Sequence, residues 1–178
     1  MIQSTLFLVL LLGHLLGDFT FQTPALAKRK ADSLFSVMLH GGIYALCILA
    51  VLLLAVPFSF EILYIGVLAA LFHLAVDIAK FFLTRRSELV QEHPGGLFLA
   101  DQAVHLLLLF LLSLSFGGGG LSLRAWPESA APALAFSTQD LLKAAVLLLL
   151  AGKPANLLFV NLFGRFRPEK DAGEEVGK

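Results

Sequence analysis

Five apolar runs dominate this chain, and each is long enough for a helix that crosses a lipid bilayer. A membrane-spanning helix needs about 20 largely apolar residues, and in lipid a helix satisfies its own backbone hydrogen bonds. Hydrophobic residues make up 58% of the 178 residues and charged residues only 15%, well below the share of about 25% in soluble domains. We therefore predict one all-α domain, a polytopic membrane helix bundle of five transmembrane helices. The predicted spans cover residues 5–21, 34–56, 60–83, 97–116 and 138–163.

Less apolar segments mark the limits of this bundle. It is predicted to take in residues 1–164, and the charged tail at 165–178 is predicted to be disordered and cytoplasmic. Four glycines from Gly117 open a segment that contains Trp126 and leads to the last span. Because Trp favours the membrane interface, we predict a short interfacial segment there. Pro154 is predicted to kink the last span, since proline cannot donate its helix hydrogen bond.

The first span has two interpretations. Residues 6–16 resemble the apolar core of a signal peptide, with a cleavage site at residues 25–27. No basic residue precedes this run and polar side chains interrupt it, so we predict a retained span that ends at Pro24. Gly13 and Gly17 are spaced for close approach to another helix.

Basic residues between the spans predict the orientation of the chain. They follow the first span at residues 28–30, which we place in a short loop, follow the third at 85–86, and recur in the C-terminal tail. Cytoplasmic loops of membrane proteins carry an excess of Lys and Arg. Because these segments share one side of a five-span chain, we predict the N-terminus outside and the C-terminus in the cytoplasm.

Inside the apolar runs, three pairs of histidine and aspartate stand four residues apart. Residues at this spacing share one face of a helix. A central aspartate costs roughly 2.5–3.5 kcal/mol on insertion scales, so such residues usually face a bundle interior and mark function. In the predicted topology these pairs, His40 and Lys153 all lie in the cytoplasmic half of the membrane, which predicts one shared site. The pairs are His14 with Asp18, His73 with Asp77, and Asp101 with His105.

Imidazoles and carboxylates at one depth predict a site for a divalent transition metal, namely Zn, Mn or Fe. The lone Cys47 argues against a thiolate cluster or a disulfide framework. Asp77 or Asp101 is expected to act as general base on a metal-bound water, and Lys153 to bind an anionic group or neutralise an aspartate. The expected ligands are His14, Asp18, His40, His73, Asp77, Asp101 and His105.

Other polar residues within the spans have simpler explanations. Gln22 and Gln102 are expected to form hydrogen bonds between helices, and Tyr44 is expected to pack. Lys80 lies about one turn from the cytoplasmic end of its span, where its side chain is expected to snorkel to the interface. Asn156 falls in the inner half of the last span, at the depth of the predicted site.

Four short motifs recur as a set in a known family. They are residues 13–19 with Gln22, His40-Gly41 with Tyr44, His73 with Asp77 and Lys80, and Asp101-Gln102 with His105. Together they resemble domain of unknown function 3307, a family of small bacterial integral membrane proteins, over roughly residues 5–112. The resemblance implies a location in the bacterial inner membrane and carries no activity. More distantly, the pattern is similar to membrane-bound metal-dependent hydrolases with His and Asp on early spans.

These residues favour a membrane-embedded metal-dependent hydrolase that acts on a lipid or lipid-linked substrate from the cytoplasmic leaflet. The alternative is a component of a proton- or cation-coupled transporter or channel, since intramembrane Asp and His chains relay ions. Five spans would then require a homo-oligomer or a partner subunit. A third interpretation is a scaffold whose polar pairs lock helices together. The expected partners are membrane lipid and a small lipid-like or ionic substrate, whereas a formal net charge of zero argues against nucleic acid.

Overall fold

The fold is built from helices. The computed structural model describes residues 2–87, 93–117, 122–124 and 137–163, and within these ranges it has no β-strand. The predicted all-α bundle is confirmed, while the predicted interfacial segment around Trp126 and the predicted tail lie outside these ranges. The elements are α1 (Ile2–Leu15), a π-helix (Leu16–Thr20), α2 (Pro24–Asp32), α3 (Leu34–Ala55), α4 (Phe60–Arg86), α5 (Pro94–Phe116), α6 (Thr138–Ala151) and α7 (Lys153–Phe163).

Among the described residues, four helical segments are long and apolar enough to cross a membrane. They are α3, α4, α5 and the run of α6 with α7, which contain 22, 27, 23 and 26 residues. The predicted first span is helical from Thr5 to Thr20, but it counts as a fifth span only together with α2, from which it is bent by 85°. The architecture is compatible with a multi-pass membrane protein, with a bent helix pair in place of a straight first span.

Short polar residues fix where the apolar runs become helical. The hydroxyls of Ser33 and Ser59 accept hydrogen bonds from the amides three residues further along, at 3.4 and 3.1 Å. Ser137 and Asp140 form a reciprocal capping box at the start of α6. Each cap contributes about 1 kcal/mol, so the boundaries of α3, α4 and α6 follow from local chemistry.

Two predicted helix breaks are displaced in the structure. Pro24 does not end the first helix; it begins α2, and the Thr23 hydroxyl accepts a hydrogen bond from the amide of Leu26 at 3.2 Å. Proline suits the first helical turn because its missing N–H would have no partner there. The basic residues 28–30 therefore lie on α2, and the prediction of a loop was wrong. The last span breaks at Gly152, two residues before the predicted kink at Pro154.

Two glycines bring α1 and α3 into close contact, as their spacing predicted. A Cβ atom on Gly13 would lie 2.6 Å from Ile48 Cδ1, and one on Gly17 would lie 2.8 Å from Tyr44 Cδ2. Any larger side chain would force the two helices apart or displace these neighbours. The α1–α3 contact thus depends on the absence of side chains at both positions.

The outer surface of the bundle is apolar. Phe35, Leu54 and Phe60 are 76%, 71% and 82% exposed, values that are costly in water but ordinary for side chains that face lipid. Polar side chains instead collect in the interior. These buried polar side chains lie beside the hydrophobic core and include the residues of the site described next.

Candidate metal centre

Seven buried polar side chains converge where α1, the π-helix, α3, α4 and α5 meet, and they are the seven that the sequence predicted as ligands. Four structural units supply them: α1 with the π-helix, α3, α4 and α5. Each residue is at most 8% exposed. Polar groups buried to this degree are costly unless they are hydrogen-bonded, paired or bound to a cation. The seven are His14, Asp18, His40, His73, Asp77, Asp101 and His105.

Asp18 lies in the π-helix, which turns its carboxylate towards α3. The amide of Phe21 donates to the carbonyl of Leu16 at 2.8 Å, a bond that spans five residues instead of the four of an α-helix. Asp18 Oδ1 lies 2.9 Å from His40 Nε2, whereas Oδ2 is 3.9 Å from His14 Nε2. The predicted intrahelical pair is therefore the looser contact. Short π-helices are frequent at functional sites.

Two histidines form the middle of the cluster. His40 Nε2 and His73 Nε2 face each other at 3.1 Å. Asp18 Oδ1 lies 2.9 and 3.5 Å from these nitrogens, and Asp77 Oδ2 lies 3.6 and 3.5 Å from them. Each carboxylate thus closes a triangle on the same pair of imidazoles, and the two triangles join the π-helix, α3 and α4.

This geometry fits a divalent metal ion. In a tetrahedral zinc site with metal–ligand distances of about 2.0–2.1 Å, neighbouring ligand atoms lie about 3.3 Å apart. The separations in the two triangles run from 2.9 to 3.6 Å. Two imidazole nitrogens at 3.1 Å also need a shared proton or a cation, because two N–H groups or two lone pairs repel each other.

His105 presents a further nitrogen, and a hydrogen bond within α5 determines which ring nitrogen carries the proton. Its Nδ1 donates a hydrogen bond to the carbonyl of Asp101 at 2.8 Å, so the neutral ring carries its lone pair on Nε2. That Nε2 atom is buried without a hydrogen-bond partner, as is Asp101 Oδ1. Asp77, Asp101 and His105 have ligand atoms close enough to hold a metal ion, as do His14, Asp18 and His73.

Two lysines neutralise two of the three aspartates. Lys30 Nζ on α2 donates to Asp77 Oδ2 at 2.6 Å, and Lys80 Nζ donates to Asp101 Oδ2 at 2.8 Å. The prediction that Lys80 snorkels to the interface was wrong, because its ammonium is held by α5 instead. Lys30 was not predicted as a residue of the centre, because residues 28–30 were assigned to a loop. Asp18 keeps a negative charge whose contacts are imidazoles and an amide.

In the structure the Lys153 ammonium contacts backbone carbonyls. Its Nζ donates to the carbonyls of Phe19 and Gln22, at 2.7 and 2.8 Å. These carbonyls belong to the break between the π-helix and α2, where helix hydrogen bonds are missing. The ammonium therefore ties α7 to the break, and the expectation that it neutralises an aspartate was wrong.

The remaining predicted residues divide between the centre and its surroundings. Gln102 joins helices, as predicted: its Nε2 donates to Asp18 Oδ2 at 3.2 Å and its Oε1 lies 3.4 Å from His14 Nε2. Tyr44 packs, as predicted, with its ring stacked 3.6 Å from that of His73. Gln22 and Asn156 stay outside the centre. Gln22 accepts from Lys30 at 3.1 Å, and Asn156 is exposed on α7.

Polar cavities connect the centre with the end of the bundle where α2 lies. One of about 350 Å³ is lined by Asp18, Lys30, Lys80, Asp101 and Lys153 among others. A second, of about 270 Å³, passes Asp77 between Lys30 and Lys80. All three aspartates of the centre therefore line cavities at this end of the bundle.

Comparison with protein families identifies the chain. The model for a protein of unknown function, DUF3307, matches residues 6–132. The chain belongs to the DUF3307 family. Comparison with curated proteins finds no match, and neither does comparison with solved structures. The DUF3307 region covers all seven residues of the centre, whereas α6 and α7, with Lys153, follow it.

Proposed function

We propose that this DUF3307 protein is a membrane-embedded, metal-dependent hydrolase that acts on a lipid or lipid-linked ester from the cytoplasmic side. The observation that carries the proposal is the pair of triangles that Asp18 and Asp77 form on His40 and His73. Imidazole and carboxylate ligands suit Zn, Mn or Fe. A divalent ion there would also neutralise the charge that the lysines leave on Asp18.

The proposed roles follow from which atoms already have partners. His40, His73, Asp18 and Asp77 would hold a divalent ion, which would supply an activated water molecule and polarise the ester. Asp101 acts as general base through Oδ1, the buried oxygen without a hydrogen-bond partner, while Lys80 holds Oδ2. In hydrolysis the water oxygen bonds to the ester phosphorus or carbon, the ester bond breaks, and the leaving alcohol takes up a proton.

The basic end of the bundle supports access from the cytoplasm. The polar cavities open between α2 and the end of α4, where Arg85 Nη2 donates to the carbonyl of Asp32 at 2.7 Å. This end also carries Lys28, Arg29 and Arg86. Lys and Arg mark the cytoplasmic side of membrane proteins.

Elemental analysis of the purified protein tests the metal. We expect about one divalent transition-metal ion per chain, lost in His73→Ala and in Asp18→Asn because each removes a corner of a triangle. Ser115→Ala is the control, since its exposed hydroxyl bonds only within α5. A folded wild type that contains no metal, and whose melting temperature a chelator leaves unchanged, would rule out the proposal.

A second candidate function is proton or cation transfer in a transporter. It is favoured by the unbroken series of contacts from Asp18 through His40 to His73, with separations of 2.9 and 3.1 Å, because such chains relay protons. The bent first pair and the break at Gly152 resemble interrupted helices at transport sites. Proton flux into liposomes that is abolished by His40→Ala, in protein without metal, would favour this candidate.

A further inference from the structure

Two cavities meet beside the metal centre, one polar and one apolar. The polar one is the 350 Å³ cavity that contains Lys80 and Lys153. The apolar one has a volume of about 430 Å³ and lies between α1, α5 and the α6–α7 run. The two cavities therefore share part of their walls, and charged side chains line one of them while apolar side chains line the other. The residues that line both cavities are Phe19, Phe98 and Gln102.

Charge balance favours an anion in the polar cavity. The three aspartates of the centre and the three lysines around it cancel, so a bound divalent ion leaves two positive charges. Lys153 donates to two carbonyls, and an ammonium has a third N–H to offer. A phosphate monoester carries about −1.5 to −2 charges at neutral pH. An acyl ester carries none, so this cavity discriminates between the two ester classes.

The apolar cavity provides the place for a hydrocarbon chain. Its wall consists of leucine, phenylalanine, alanine and proline side chains, and its polar members, His14 and Gln102, lie towards the centre. On the opposite side Ala155 and Leu158 are exposed on α7, so a chain can enter sideways from the bilayer. A chain in this position keeps apolar contacts along its length.

We propose that the ligand is a lipid phosphate monoester, with the phosphate in the lysine-lined cavity and the hydrocarbon chain in the apolar cavity. The reaction rests on the proposed function, whereas binding is measured separately. Water oxygen forms a bond to phosphorus, and the bond between phosphorus and the lipid oxygen breaks. The lipid oxygen takes a proton and leaves as an alcohol, and inorganic phosphate remains.

Binding to purified protein of known metal content tests this inference. The probes are phosphatidic acid, which has a phosphate monoester and chains, diacylglycerol, which has chains only, and inorganic phosphate, which has neither chain nor ester. Native mass spectrometry and competition titrations give the affinities. We expect phosphatidic acid to bind at least roughly tenfold more tightly than diacylglycerol, because charge-assisted hydrogen bonds to the phosphate are lost in the latter.

Two kinds of variant separate headgroup from chain. Lys153→Gln and Lys80→Gln should each weaken phosphatidic acid binding roughly tenfold. Lys153→Arg keeps the positive charge and should bind phosphatidic acid as the wild type does. Lys143→Gln is the matched control, since that lysine is exposed and pairs with Asp140 on α6. Leu106→Trp fills the apolar cavity and should weaken phosphatidic acid binding without changing the affinity for inorganic phosphate. Melting temperatures identify any variant that fails to fold, in which case Leu106→Trp, which leaves the ion pairs intact, decides.

The outcomes distinguish the inference from the proposed function. Equal affinity for phosphatidic acid and diacylglycerol in metal-loaded protein overturns the inference and leaves a metal-dependent hydrolase of acyl esters. Equal affinity for phosphatidic acid and inorganic phosphate, unaffected by Leu106→Trp, overturns the lipid assignment in favour of a soluble phosphate. Selective binding of phosphatidic acid to a protein without metal supports the inference and overturns the proposed function.

Discussion

At the scale of single residues, the strongest constraint is the cost of a buried charge without a partner. Asp77 and Asp101 each accept a hydrogen bond from a lysine, at 2.6 and 2.8 Å. Asp18 relies on His40 and the Gln102 amide. Removing one member of a buried pair exposes the desolvation cost of the other. Loss of either partner is therefore expected to destabilise the fold as well as to disturb the centre.

Replacing Lys30 by Met is expected to destabilise the protein by about 3–5 kcal/mol, because the carboxylate of Asp77 is only 2% exposed and loses its ammonium partner. Thermal or denaturant unfolding in detergent with a chelator present measures the change. The double variant Lys30→Met with Asp77→Asn should recover most of the stability. Lys28→Met, exposed on the same helix, is the control; equal losses in Lys28→Met and Lys30→Met would contradict the role of the pair.

At the scale of helices, the contact between α1 and α3 positions the centre. Gly17 packs against the ring of Tyr44, and that ring stacks on His73 with an interplanar angle of 3°. A change in the distance between α1 and α3 therefore moves the Tyr44 ring and, through it, the imidazole of His73, which belongs to both triangles. Close packing makes such an interface intolerant of added volume.

Gly17→Ala is expected to destabilise the protein by about 1–3 kcal/mol and to lower its metal content, since the new Cβ overlaps the Tyr44 ring. Gly42→Ala is the matched control on α3, because nothing lies within 4 Å of its Cβ position. The control should be neutral or stabilise by up to about 1 kcal/mol through helix propensity. Melting temperature and elemental analysis together measure both effects, and equal behaviour of the two variants would refute the packing argument.

The sequence predicted the helices more fully than their long-range partners. The apolar runs of α3, α4, α5 and the last span became helices with ends within three residues of those expected, because length, apolarity and caps are local properties. The same holds for the four-residue spacing of the three pairs, which supply six of the seven centre residues. The pairing of Lys30 with Asp77 joins residues 47 positions apart. Thr23-Pro24 signals the start of α2, yet no local pattern indicates which aspartate its lysine reaches.

At the scale of the whole molecule, the two ends of the bundle differ. The end with α2 carries the basic residues and the polar cavities. At the other end, Arg124 Nη2 approaches the carbonyls of Leu53 and Val56 at 3.4 Å. This asymmetry predicts both the orientation in the membrane and the side from which a ligand enters.

Cysteine labelling in a Cys47→Ser background tests the orientation. Arg29→Cys on α2 should react with a membrane-impermeant maleimide only in inverted vesicles. Phe58→Cys, at the exposed connection between α3 and α4, should react only in intact cells. Both positions lie at exposed sites, so each serves as the control for the other. The reverse pattern would place the polar cavities outside and exclude access from the cytoplasm.

The sharing of the centre among α1, α3, α4 and α5 also constrains how the protein is made. Spans enter the bilayer in order from the ribosome, and independent insertion precedes their association. Until α5 arrives, Lys80 lacks Asp101, and His73 lacks its ring neighbour His105, 4.4 Å away. In a membrane, the nascent chain would therefore carry the Lys80 ammonium without this carboxylate until α5 is inserted. Insertion of α5 is the step of biogenesis that supplies these missing partners.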